Sequence, residues 1–142
     1  MPQLVENLVK SYIGVESCIV LQTMTMNTDA MNNTAARVVR EMGAQDRTLG
    51  VLTKPDLLNS AKQWREILDG HSFKLAHGYH VVWNDSLEGT THSEARRKEQ
   101  EFFRDSEVFS KGGELSHHDR KQGIPLLQRT LSSLLTKESR KW

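Results

Sequence analysis

Residues 47–59 read RTLGVLTKPDLLN, an apolar run that closes in Thr53-Lys54-Pro55-Asp56. Leu49, Val51 and Leu52 do not alternate with polar residues, which predicts a strand over 48–53 buried on both faces. T-K-x-D at a strand end is the chemistry of guanine recognition. The carboxylate of Asp56 can accept parallel hydrogen bonds from the N1–H and exocyclic amine of guanine, and adenine offers no such donor pair at that edge. The stem of Lys54 can lie along a purine face with its ammonium near the ribose, while Thr53 braces the loop from below. Because Lys54 precedes a proline, its backbone is expected to be extended. A solvated strand-to-helix turn is the alternative use of the same four residues.

The flanking sequence predicts alternating helices and strands. Val5, Leu8, Val9 and Tyr12 recur at helical spacing until Gly14, and residues 17–23 form a nearly continuous apolar strand. Asn27 or Thr28 can cap a helix carrying Met31, Ala35, Val38, Val39 and Met42, closed by Gly43. After the central strand, Asn59 or Ser60 caps a helix with Trp64, Ile67 and Leu68 that ends at Gly70, and residues 79–83 make a third strand. This order implies parallel pairing through crossovers, an α/β layered sheet whose ligands sit outside the carboxyl ends of the strands. Thr53 to Asp56 and Asn84 to Ser86 would both fall there. Residues 84–93 read as a loop, closed by a capping box of Thr91 and Glu94. The following helix reaches about Arg104 and presents Ala95, Glu99, Phe102 and Phe103 on one side. Its charge run, Arg96-Arg97-Lys98 against Glu94, Glu99 and Glu101, reads as a solvated mixed face. Residues 110–123 are read as loop, and Pro125 opens a last helix striped with Leu127, Leu131, Leu134 and Leu135.

Composition narrows the function classes. A chain of 142 residues makes about one domain. A net charge of +1 gives no support to nucleic-acid binding. One cysteine, Cys18, excludes an internal disulfide and, lying in an apolar run, reads as a buried inert thiol in a reducing, cytoplasmic setting. No apolar stretch approaches the ~20 residues that a bilayer demands. His71, His77 and His80, and the run His117-His118-Asp119, lack the spacing of a zinc site and read as surface or strand-end residues. Trp64, Trp83 and the Phe102-Phe103 pair read as packing residues.

The blocks SYIGVESCIVLQTMTMNTDAMNNTAARVVREM, RTLGVLTKPDLL, GYHVVWNDS, EQEFF and GIPLLQRTLSSLL, in this order and spacing, resemble the later half of the GTPase domain of dynamin-like large GTPases, especially the fungal dynamin/Mx-like branch. The resemblance implies that Thr53, Lys54 and Asp56 form the guanine-specificity motif and that Asn84, Asp85 and Ser86 occupy a second base-contacting loop. Asp85 places a carboxylate where relatives often carry arginine. Asn59 stands where many carry aspartate, and its amide could bond the nucleotide. The resemblance also implies a partial P-loop GTPase-like fold of about three parallel strands, with residues 1–93 forming the sheet and residues 94–142 the helices leading towards a stalk.

Phosphoryl transfer needs a phosphate cradle, a magnesium site and an oriented water. The chain contains no G-x-x-x-x-G-K-[ST] and no D-x-x-G. The expectation is therefore half of a GTPase domain that reads guanine weakly. GTP hydrolysis, the magnesium that serves it, and peripheral membrane or microtubule association enter only through the family. The other reading is a non-catalytic interaction module. It would use the open sheet edge at its first strand and its last, leucine-striped helix to bind a partner, a second copy or a full-length relative.

Overall fold

The computed structural model describes residues 3–15, 18–84, 91–110, 113, 115–116 and 121–139. Strands β1 (Val20–Thr25), β2 (Thr48–Thr53) and β3 (Tyr79–Val81) form a parallel sheet in the order β1-β2-β3. Parallel neighbours need crossovers, and α2 (Thr34–Glu41) and α3 (Ala61–Leu68) supply them. The register runs from Val20 opposite Thr48 to Thr25 opposite Thr53, and sets Gly50 against Tyr79 and Leu52 against Val81. In β2 every residue but Thr53 is buried, as expected of a strand covered on both faces. By contrast, β1 alternates: Val20, Gln22 and Met24 point into the core while Leu21 and Thr23 face out. It also begins later than its apolar run suggests: Cys18 and Ile19 precede the strand, and Cys18 N–H bonds to Val15 O (3.0 Å) instead of to a neighbouring strand. Among the described residues β1 pairs with β2 alone, so its outer edge is open.

Gly50 is required by packing. A Cβ there would stand 2.1 Å from Cδ1 of Tyr79, whose buried ring lies across the central strand. Burial pushes the phenol of Tyr79 up to about 12, and its hydroxyl donates to Phe73 O. Gly50→Ala is expected to cost about 2 kcal/mol by overpacking. A urea melt would read the loss as a lower midpoint at unchanged slope.

Two Asx caps start α2. The carboxylate of Asp29 accepts from Met31 N–H (3.0 Å) over a single 3-10 turn, Ala30–Asn32, and Asn33 Oδ1 then accepts from Ala36 N–H (2.9 Å). The α-helix therefore begins beyond the expected cap at Asn27 or Thr28, and Met31 is left 74% exposed. Its end is as read: Gly43 at φ +62° lets Ala44 N–H reach Val39 O and Gly43 N–H reach Arg40 O. Ser60 caps α3, whose Trp64, Ile67 and Leu68 are buried. The first helix, α1 (Gln3–Ile13), is fastened to α2 by two ion pairs, Glu6 to Arg37 (2.8 Å) and Lys10 to Glu41 (3.2 Å), and Arg37 and Glu41 pair with each other within α2 (2.9 Å).

Thr91 caps α4 (His92–Asp105) by accepting from Glu94 N–H at 3.2 Å. The segment read as loop before the last helix, α5 (Ile124–Ser139), is partly built in: Leu115 is buried, as is Phe109 just before the segment, and Gln122 bridges to Val81 beside β3. The leucine stripe of α5 is uncovered, with Leu127, Leu131 and Leu134 half-buried and Leu135 exposed. Among the described residues no helix is long and apolar enough to cross a membrane.

Candidate functional site

The carboxyl end of β2 turns sharply. Lys54 adopts the left-handed conformation (φ 55°, ψ 49°), and Pro55–Leu57 form a 3-10 turn closed by Leu57 N–H on Lys54 O at 3.0 Å. The expectation of an extended Lys54 is therefore corrected. The 3-10 hydrogen bond fixes Pro55 and Asp56 and does not itself demand this, since Asp29 opens a similar turn in an extended conformation. The positive φ instead redirects the chain between Thr53, whose carbonyl is held by Met26 N–H (2.9 Å), and the buried Pro55. Positive φ is uncommon for a residue with a side chain and clusters at ligand-binding sites. The turn lifts Lys54 and Asp56 into solvent and leaves Pro55 buried beneath them. Thr53 braces the loop, its hydroxyl donating to Met24 O (3.4 Å) and its carbonyl accepting from Met26 N–H (2.9 Å).

Asn59 is exposed, yet both ends of its amide are engaged within the fold. Nδ2 donates to Thr28 O (3.1 Å), and Oδ1 accepts from the indole Nε1–H of buried Trp64 (3.0 Å). It thus brackets the loop after β1 to the loop after β2. Asn84 is exposed three residues beyond Val81, so it leaves the sheet at the same carboxyl edge as Lys54. Asp85 and Ser86 lie outside the described residues.

Asp56 stands on a cleft of about 610 Å³ walled by Pro55, Leu58, Trp83 and Phe102, with Lys98 and Asp105 also on its lining. The rings of Trp83 and Phe102 are stacked, 5.3 Å apart and 3° from parallel. Aromatic walls with a nearby carboxylate are the lining by which pockets hold planar polar ligands. Thr53, Lys54, Asn59 and Asn84 do not line this cleft. The sheet edge groups them near Asp56, but the cleft itself joins Asp56 to α4.

Sequence reading missed the role of Glu99. Placed in the solvated charge run, it is only 2% exposed. Its Oε2 accepts from Trp83 N–H (2.9 Å) and its Oε1 from Ile124 N–H (2.8 Å). Burial raises its pKa, and these two donors oppose the shift. Four residues separate it from Phe103, also buried, and that helical spacing was the available signal.

A family model described as the dynamin central region matches residues 63–141, more than half of the chain. The chain belongs to the dynamin-like large GTPase family. It is 36% identical over 136 residues to "Phragmoplastin DRP1A" of Arabidopsis thaliana, covering 92% of this chain and 21% of the relative. It is 32% identical over 143 residues to "Dynamin" of Drosophila melanogaster (97% and 16%) and 32% identical over 139 residues to "Interferon-induced GTP-binding protein Mx1" of Mus musculus (93% and 21%). The dynamin-like chain thus spans about a fifth of these relatives or less. The matched central region takes in β3, α4, α5 and most of α3, whereas the Thr53–Asp56 loop precedes it.

Among the described residues of this dynamin-like chain no three His, Cys, Asp or Glu side chains gather where they could hold a metal ion, and His117, His118 and Asp119 lie outside those residues. His80 is buried in β3 with no hydrogen-bond partner at Nδ1, and burial, then the charge of Lys121, hold its pKa below the ordinary 6.5. The fold therefore favours the neutral ring. The unfolded chain binds the extra proton first on acidification, so this contribution is present above about pH 6.5 and is lost as pH falls through the depressed value. Thermal midpoints of wild type and His80→Gln are expected to diverge across that window, with wild type losing more on acidification.

Proposed function

We propose that this chain is the guanine-reading part of a dynamin-type GTPase domain with a P-loop GTPase-like sheet. In this reading Asp56 accepts from N1–H and the exocyclic amine of guanine, Lys54 covers the purine face, and Thr53 holds the loop. Asn59 keeps two loops in register, and Asn84, Asp85 and Ser86 approach the base from the neighbouring strand. The observation that carries the reading is the left-handed turn at Lys54, which sets an exposed carboxylate at the carboxyl end of the central parallel strand, beside an aromatic cleft. The relative named as a GTP-binding protein supports it.

No phosphate-loop motif occurs in the 142 residues, so base contacts act without a triphosphate grip or a magnesium ligand. GTP and GDP are then expected to bind at roughly millimolar strength, about −4 kcal/mol, with no turnover by this chain alone. Titration of the labelled protein with GDP and ADP, followed by amide NMR, tests this. Shifts confined to the Thr53–Asp56 loop and the cleft, seen with GDP and not ADP, are the expected result. Equal responses would remove the reading.

A second reading rests on the open edge of β1 and the outward Leu21. Unpaired N–H and C=O groups beside an apolar side chain favour strand addition by a second copy or by a full-length dynamin-like relative. Sedimentation across protein concentration, alone and mixed with a full-length dynamin-like relative, separates the two, since a monomer under both conditions leaves only the nucleotide reading.

A further inference from the structure

We infer that Glu99 is a positioning residue for the base cleft: it holds the aromatic wall at Trp83 by the backbone and anchors that wall to the start of α5. This rests on the guanine reading for its ligand, but its mechanical part stands on geometry alone. One carboxylate oxygen takes the N–H of Trp83, the residue before Asn84, and the other takes the N–H of Ile124, the first residue of α5. The two donors are far apart in sequence, and the carboxylate joins them within a buried space. Gly123, at φ +99°, leaves that space clear, since a Cβ there would come within 3.3 Å of Oε1. Phe102, on the same helix as Glu99, stacks on the Trp83 ring, and both rings line the cleft. Trp83 is thus fixed twice from α4, by its backbone through Glu99 and by its ring through Phe102.

A carboxylate is the side chain suited to this place. It offers acceptors on both oxygens and no donor, so two N–H groups arriving from opposite sides are both satisfied. Glutamine keeps the size but turns an N–H₂ towards one of the two donors, which leaves that donor without its partner.

The test compares wild type with Glu99→Gln, Gly123→Ala and Gly50→Ala by amide NMR, each titrated with GDP to about 10 mM. The amide resonances of Trp83 and Ile124 are expected to move together in Glu99→Gln and, more weakly, in Gly123→Ala, where the carboxylate is displaced but kept. Both variants are expected to bind GDP about tenfold more weakly. Gly50→Ala, destabilised in the sheet away from the cleft, is expected to keep wild-type GDP affinity, which a merely structural role for Glu99 would not explain. If Glu99→Gln fails to fold, Gly123→Ala carries the test. Should GDP leave even wild type unchanged while the two amides still move together, the guanine reading falls and the tether stands. Independent movement of the two amides, or wild-type GDP affinity in both cleft variants, overturns the proposal.

Discussion

Asp56→Asn is expected to abolish measurable GDP binding and to confer binding of xanthosine diphosphate instead. The asparagine amide keeps one acceptor for the base N1–H but turns a donor towards the exocyclic amine of guanine, placing two donors face to face. Sites that read hydrogen-bonding groups lose several orders of magnitude when a partner is mismatched. Starting from roughly millimolar binding, such a loss lies beyond detection. Xanthine carries a carbonyl where guanine carries the amine, so the new donor gains an acceptor. Calorimetric or NMR titration of both proteins with both nucleotides yields a two-by-two comparison in which preference crosses over. Unchanged GDP binding in the variant would remove Asp56 from base recognition, because the side chain is exposed and its substitution leaves the buried core untouched.

The largest effect on stability is expected at Trp64. Its side chain is fully buried in the core between α3 and the sheet, and its Nε1–H is shared between Met26 O (3.1 Å) and Asn59 Oδ1 (3.0 Å). Trp64→Ala leaves a cavity and costs about 3–5 kcal/mol. That is much of the ~5–15 kcal/mol that holds a domain folded. Trp64→Phe fills most of the volume and loses mainly the hydrogen bonds, so it is expected to cost about 1–2 kcal/mol. Urea denaturation of the three proteins measures both steps. Comparable losses in the two variants would show that the indole N–H, rather than volume, dominates at this site.

The parts of the fold legible in the sequence are those where one physical demand acted alone. The bounds of β2 follow from burial on both faces, ended by Lys54-Pro55. The end of α2 at Gly43, the cap at Ser60 and the box at Thr91 and Glu94 follow from local hydrogen bonding. Competition between local demands hid the rest. Asp29 and Asn33 are both good caps, and the first sustains only one turn before the second restarts the chain. At Lys54 the bias before proline yields to tertiary constraint, with Thr53 O held by Met26 N–H on one side and Pro55 buried on the other. Long-range partners were invisible. Glu99 sits among charged neighbours in sequence, and only the fold brings Trp83 and Ile124 to its oxygens. The engagement of Asn59 with Trp64 and Thr28 likewise has no sequence pattern of its own.

The charge cluster joining the first two helices is a fastening that an electrolyte can loosen. Around Glu6, Lys10, Arg37 and Glu41, mobile ions at about 1 M shorten the reach of electrostatics to about 3 Å, while the burial that holds the sheet does not weaken. Brine would therefore weaken this part of the docking without disturbing the strands. What then holds the amino-terminal segment is the burial of Ile13 and the packing of Val9 against the core, so concentrated salt becomes a way to tell the two contributions apart.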